Sequence, residues 1–157
     1  MSTMLILHVG LSFMALGLGA VAISELYASE AKTGTWLFLI TGFLATITGF
    51  FLPFENITPP VAVGIISTLV FILLTAAFAI FRYKTFWRAV YAVCMVISVY
   101  FLVFVTVAQA FLKIDFLKAL APTGKELPFV VAQLIVLIAF VIIGRKAMKR
   151  FHPRVAN

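Results

Sequence analysis

The chain has 157 residues, of which 64% are hydrophobic and 11% are charged, and its mean hydropathy is +1.21. Because a water-soluble domain must cover its core with polar surface, this composition excludes an ordinary soluble protein and indicates a polytopic membrane protein. The net charge of +7 comes from basic clusters between long apolar segments. Such clusters orient helices in a bilayer, so nucleic acid is not an expected partner. The single cysteine, Cys94, excludes an intrachain disulfide and a cysteine metal cluster, and no metal site is predicted.

Five segments approach or exceed the roughly 20 apolar residues that a helix needs to cross the hydrocarbon of a membrane. In chain order they are residues 4–24, 36–54, 61–81, 86–112 and 128–144. Residues 1–3 carry no lysine or arginine, so the first segment is predicted to be a retained helix and not a cleaved signal peptide. Polar residues and prolines separate the segments. The sequence therefore predicts one domain over residues 1–157, an all-α polytopic membrane helix bundle with five transmembrane helices.

Lysine and arginine are distributed unevenly over the two ends of these segments. One side receives nine of them: Lys32, Arg82, Lys84, Arg88, Arg145, Lys146, Lys149, Arg150 and Arg154. The other side receives three: Lys113, Lys118 and Lys125. Because basic residues stay on the cytoplasmic side, the chain is predicted to be N-out and C-in. The predicted cytoplasmic boundary also receives the aromatic residues that anchor helices at an interface, namely Tyr27, Trp36, Tyr83 and Trp87.

Small residues predict which membrane helices approach each other closely, because inside a bilayer there is no hydrophobic drive between helices. The second segment carries a face of small residues at spacings of three and four: Gly42, Ala45, Thr46 and Gly49. The first segment offers a second set: Gly10, Gly17 and Ala20. We therefore expect the first two helices to pack against each other along these two faces.

The middles of all five segments lack arginine, lysine, aspartate and glutamate. Proton pumps and ion-coupled carriers usually keep such a residue within the membrane, so this pattern argues against either activity. Glu25 comes nearest, at the inner end of the first segment, and is expected to pair with Arg82 or Lys84. The sequence shows no nucleophile beside a general base and no phosphate-binding loop, so it does not favour an enzyme.

The remaining polar groups concentrate in the predicted outer leaflet. A rise of about 1.5 Å per residue places His8, Gln109 and Gln133 there. Thr106 lies one turn from Gln109, and Glu55 lies in a neighbouring outer loop. These five residues are the candidate ligand-binding residues. The two glutamines are expected either to bond to each other or to a backbone carbonyl, which would tie the fourth helix to the fifth, or to line an outward-facing cavity with His8 for a polar ligand or lipid head group. A third interpretation leaves them at the solvent-facing interface.

The loop after the fourth segment has a helical pattern of its own. Ile114 and Leu117 share one face, while Asp115 and Lys118 share another. This spacing predicts a short interfacial helix over residues 116–121, capped by Asp115 and stopped by a proline.

Two stretches of the chain resemble known sequences. The C-terminal half contains YFLVFVTVAQAF at residues 100–111, KALAPTGKELPF at residues 118–129, and then Gln133. It is similar to a group of small predicted inner-membrane proteins of bacteria, whose function is unknown. The opening LILHVGLSFMALGLGAVAI, at residues 5–23, resembles the first helix of related membrane proteins. The resemblance implies a multi-pass protein of the bacterial inner (plasma) membrane.

Some relatives with such a first helix suggest a distant likeness to haem-binding membrane cytochromes. Ligation of a haem by two histidines needs two imidazoles within the membrane, whereas His8 is the only histidine in the five segments and His152 lies in the basic tail. The sequence therefore argues against an intrachain haem site, and the cofactor, if any, is unknown.

These observations lead to a ranked set of functions. The first is a non-catalytic membrane protein that binds a lipid, a quinone or a partner subunit through its outer-leaflet half. The alternative is a small oligomeric transporter or channel, and a haem-binding electron carrier ranks third. Membrane lipids are the expected partners, together with a second copy of the chain or the subunits of a membrane complex.

Overall fold

The computed structural model describes residues 3–52, 59–80 and 85–152, and these residues form six helices without a strand. The helices are α1 (Thr3–Tyr27), α2 (Thr33–Phe50), α3 (Pro59–Ile80), α4 (Thr85–Lys113), α5 (Asp115–Leu120) and α6 (Leu127–Arg150). All of them except α5 are long and apolar enough to cross a membrane. The predicted all-α bundle with five transmembrane helices is therefore confirmed, while the N-out, C-in orientation stays a prediction.

Helix ends differ most from the prediction where charged residues continue a helix beyond the apolar segment. The fifth segment was expected over residues 128–144, but α6 runs on to Arg150. Hydropathy marks the part of a helix that suits hydrocarbon, whereas the helix itself continues until its hydrogen bonds end. The short helix α5 is confirmed, one residue earlier than predicted, while its interfacial position stays a prediction. Asp115 is its first residue and makes no capping bond, because Ile114 occupies the cap position.

The chain turns between α1 and α2, and between α5 and α6, through residues with left-handed backbone. Ser29 has φ of 59° and Gly124 has φ of 71°. Beyond Gly124, Glu126 accepts hydrogen bonds from the Thr123 hydroxyl at 2.8 Å and from the Lys125 amide at 3.0 Å. Desolvation raises the pKa of Glu126, but these hydrogen bonds outweigh it and leave the pKa below its ordinary value.

Helix α4 lies at the centre of the bundle, in contact with α1, α3, α5 and α6, and α1 packs most extensively against α2. We call the end of the bundle where α1 ends, α2 begins and α6 ends the basic end. The core is concentrated towards it. The largest fully buried side chains are Tyr91, Phe38, Leu26, Leu74, Met95 and Thr35.

The small-residue prediction holds in part for α2, where Ala45 and Gly49 face α1 but Gly42 faces Phe71 of α3, and it fails for α1. A Cβ atom at Gly49 would lie 3.1 Å from the His8 ring of α1, as expected for a close contact. On α1, however, Gly10 and Gly17 have no atom within 4 Å of such a Cβ. The buried face of α1 is Ala15, Gly19, Ala22 and Leu26. Between His8 and Glu25, α1 is apolar or small on every side, so this part of the sequence does not specify which stripe faces the bundle.

Candidate functional site

His8 packs against α2 near the end opposite the basic end. Its Nδ1 lies 3.0 Å from the carbonyl oxygen of Ala45 and 3.2 Å from the hydroxyl of Thr48. The Thr48 hydroxyl itself donates to the Leu44 carbonyl at 2.8 Å. A carbonyl can only accept, so Nδ1 must carry the proton for the first of these contacts. His8 therefore ties α1 to α2.

Gln133 joins α6 to α4. Its Nε2 donates to the carbonyl oxygen of Phe104 at 3.1 Å. This is the backbone-carbonyl form of the predicted tie. Its Oε1 is buried and has no hydrogen-bond partner among the described residues. A buried acceptor without a donor is costly in hydrocarbon, so Gln133 is only half satisfied.

Gln109 does not pair with Gln133, and helical geometry explains why. Gln109 follows Tyr91 by 18 residues, which is about five full turns, so both lie on the same face of α4. Tyr91 packs against Phe78 of α3, with ring centroids 5.7 Å apart. Phe104, whose carbonyl holds Gln133, lies about 140° round the helix from Gln109. Gln109 therefore lies on a different face of α4 from the carbonyl that Gln133 of α6 binds.

The other predicted site residues are not brought together. The Thr106 hydroxyl donates to the Leu102 carbonyl of its own helix at 2.7 Å. No hydrogen bond joins any two of His8, Thr106, Gln109 and Gln133 in the part of the chain that the structure describes. Glu55 lies outside the described residues.

Glu25 caps the N-terminus of α2, a role that the sequence analysis missed. Its carboxylate accepts the amides of Lys32 at 2.9 Å, Gly34 at 2.7 Å and Thr35 at 2.9 Å, and the Thr35 hydroxyl at 2.8 Å. The negative charge also suits the positive end of the helix dipole. A Cβ atom at Gly34 would lie 2.6 Å from the carboxylate, so a side chain there would displace Glu25 from its capping position. The expected pairing with Arg82 or Lys84 lies outside the described residues.

The end of α6 docks onto the α1–α2 turn. The Tyr27 hydroxyl donates to the Ile143 carbonyl at 3.1 Å. The Ser29 hydroxyl donates to the Arg150 carbonyl and accepts the His152 amide at 3.0 Å. Phe151 is buried, and its ring centroid lies 5.1 Å from that of Tyr91. The basic end is therefore held together by side chains of α1, α4 and α6.

A groove with a volume of about 630 Å³ lies between α2 and α3. Phe71 touches α2 at Gly42, where a Cβ atom would lie 2.7 Å from its ring, and Trp36 meets Phe78 edge to face at 4.9 Å. Elsewhere α2 and α3 make little contact, which leaves the groove open. The lining residues are Trp36, Leu39, Ile40, Phe43, Leu44, Phe71, Thr75, Phe78 and Ala79. The only side-chain hydroxyl among them, that of Thr75, donates to the Phe71 carbonyl.

A smaller pocket, with a volume of about 130 Å³, lies between the first turn of α4 and the end of α6. Its lining residues are Arg88, Ala89, Ala92, Met148, Phe151 and His152. It differs from the α2–α3 groove in carrying a guanidinium and an imidazole.

Comparisons with known proteins do not add to this description. No family model, no curated protein and no solved structure matches the chain. In the described residues, no three His, Cys, Asp or Glu side chains form a group that could hold a metal ion.

Proposed function

We propose that the protein is a non-catalytic, multi-pass protein of the bacterial inner membrane that holds a phospholipid acyl chain in the groove between α2 and α3. The observation that carries the proposal is the groove itself. Its walls are hydrocarbon and aromatic side chains, and its one hydroxyl already has a partner within α3. Such walls suit an apolar chain and, apart from the indole N–H of Trp36, offer a polar ligand nothing to bond.

The length of the groove favours a phospholipid over a long isoprenoid quinone. Along α2 it runs from Trp36 to Leu44, eight residues or about 12 Å. Half of a hydrocarbon core of about 30 Å is similar to this length, so the groove matches a chain that stays within one leaflet. A long isoprenoid tail would extend beyond it.

Trp36 supports the same placement of the ligand. It stands in the first turn of α2, close to the basic end, and its side chain is 56% exposed. Tryptophan prefers the level of the lipid head groups, so the chain would enter the groove from there. In the predicted orientation the bound chain would lie in the inner leaflet, whereas the sequence analysis placed the candidate ligand-binding residues in the outer leaflet.

Native mass spectrometry of protein purified from cell membranes in mild detergent tests the proposal. Thr75→Trp places a large side chain in the groove, and we expect it to remove a retained phospholipid. Ile72→Trp is the matched control, because Ile72 is a 60% exposed residue of α3 outside the groove lining. It should retain the lipid as the unmodified protein does.

Two results would contradict the proposal. Equal phospholipid retention in both variants would show that the groove is not the binding site. A quinone, recognised by its mass and its ultraviolet absorbance and lost only from Thr75→Trp, would overturn the ligand class.

A further inference from the structure

The pocket between α4 and α6 lies where the charge of the molecule is concentrated. In the part of the chain that the structure describes, the basic end carries six lysines and arginines and two acids, Glu25 and Glu30, which leaves a net charge of 6 − 2 = +4. The other end carries three described lysines, Lys113, Lys118 and Lys125, and two described acids, Asp115 and Glu126, for a net charge of 3 − 2 = +1. Most of the net charge of the described residues therefore lies at the end that holds this pocket.

The two acids at the basic end are already occupied. Glu25 caps α2, and Glu30 forms an exposed ion pair with Lys32 at 2.7 Å. None of the residues that line the pocket is acidic. The lining thus combines a guanidinium and an imidazole without a carboxylate, which suits an anion.

Two more cations lie near residues of the pocket lining along the chain. Met148 and His152 line it, and Arg145 and Lys149 lie three residues before each of them in the chain. Residues three apart share a face of a helix, so Arg145 lies on the face of α6 that carries Met148, and Lys149 follows Met148 in the last turn of α6. Ala92 and Phe151, which are buried, form its apolar side.

We propose that this pocket binds the phosphate group of an anionic phospholipid. The guanidinium of Arg88 presents a planar set of donors that suits phosphate oxygens. Basic pockets between membrane helices on the cytoplasmic side are recognised sites for anionic head groups. This inference does not depend on the α2–α3 groove.

The surface below the pocket identifies a lipid, and not free phosphate, as the source of that group. Val141 and Leu137 precede Met148 by seven and eleven residues, so they continue its face of α6 into the membrane. Their side chains are 49% and 42% exposed. Trp87, next to Arg88, is the type of residue that marks the head-group level. A phosphate held at Arg88 would thus have its acyl chains against an apolar helix face.

The experiment measures lipid binding by native mass spectrometry of delipidated protein, titrated with phosphatidylglycerol or phosphatidylcholine. We expect phosphatidylglycerol to bind more tightly than phosphatidylcholine. Arg88→Gln should weaken the binding of phosphatidylglycerol about tenfold, as the loss of a charged hydrogen bond implies. Lys113→Gln removes the same charge from the opposite end and should leave the affinity unchanged. Thr75→Trp, in the groove, should not alter the preference for the anionic lipid.

A second pair of variants keeps the test decisive if Arg88→Gln does not fold. Ala89→Glu places a carboxylate in the pocket, and Ala119→Glu places one on α5 at the other end. Only the first should abolish the preference for phosphatidylglycerol. The proposal would be overturned if the two variants of each pair lost phosphatidylglycerol binding equally, or if the unmodified protein showed no preference for this lipid. Binding of inorganic phosphate at the affinity of the lipid would overturn the assignment to a lipid.

Discussion

At the scale of single residues, Glu25 makes the densest set of hydrogen bonds. Glu25→Ala removes four acceptor contacts at the start of α2, and we expect it to lower the free energy of unfolding by about 2 kcal/mol, since a lost cap leaves amides unsatisfied. Glu30→Ala is the control. Its ion pair with Lys32 is exposed, so the expected loss is below about 1 kcal/mol. Unfolding in detergent, followed by circular dichroism, measures both, and equal losses would contradict the capping role.

The two glutamines provide a second prediction at this scale. Because Gln109 lies on a different face of α4 from the carbonyl that Gln133 of α6 binds, and the two side chains share no bond, the effects of Gln109→Leu and Gln133→Leu on unfolding should add within about 0.5 kcal/mol. If the two side chains bonded directly, the double variant would instead lose much less stability than the sum of the two single-variant losses. The measurement is a double-mutant cycle of thermal stability in one detergent. A coupling above about 1 kcal/mol would show that the side chains meet.

At the scale of helices, Gly49 marks the closest approach of α2 to His8 on α1. Gly49→Leu should destabilise the protein by about 1 to 3 kcal/mol, because a side chain there would meet the imidazole ring. Gly10→Leu is a matched control, since nothing lies within 4 Å of its Cβ position. Thermal unfolding of the two variants compares them directly. A destabilising Gly10→Leu would mean that this face of α1 has a partner.

At the scale of the whole molecule, the charge asymmetry predicts the orientation N-out and C-in. Single cysteines at Ser2, Asn56 and Thr123, in a Cys94→Ala background, should react with an impermeant maleimide in intact cells. A cysteine at Asn157 should react only after lysis. Labelling at Asn157 without labelling at Asn56 would reverse the orientation and move the basic pocket to the outer face.

The sequence by itself determined the number of membrane helices, the short helix α5 and the end of the bundle that carries the charge. These features depend on local composition, because hydrocarbon thickness sets the length of a span and prolines and polar residues end it. The tie from Gln133 to a backbone carbonyl was also among the predicted alternatives.

Only the tertiary structure decided how each helix is rotated about its axis. It selected Ala15, Gly19 and Ala22 as the inner face of α1, placed Gln109 on a different face from the carbonyl that holds Gln133, and turned Glu25 onto α2. It also left α2 and α3 apart, which creates the groove. The physical reason is that lipid and helix interior are equally apolar, so hydrophobic patterning does not distinguish the inner face of a membrane helix from the outer one. Close packing and the few hydrogen bonds between helices make that distinction, and both depend on residues far apart in the chain.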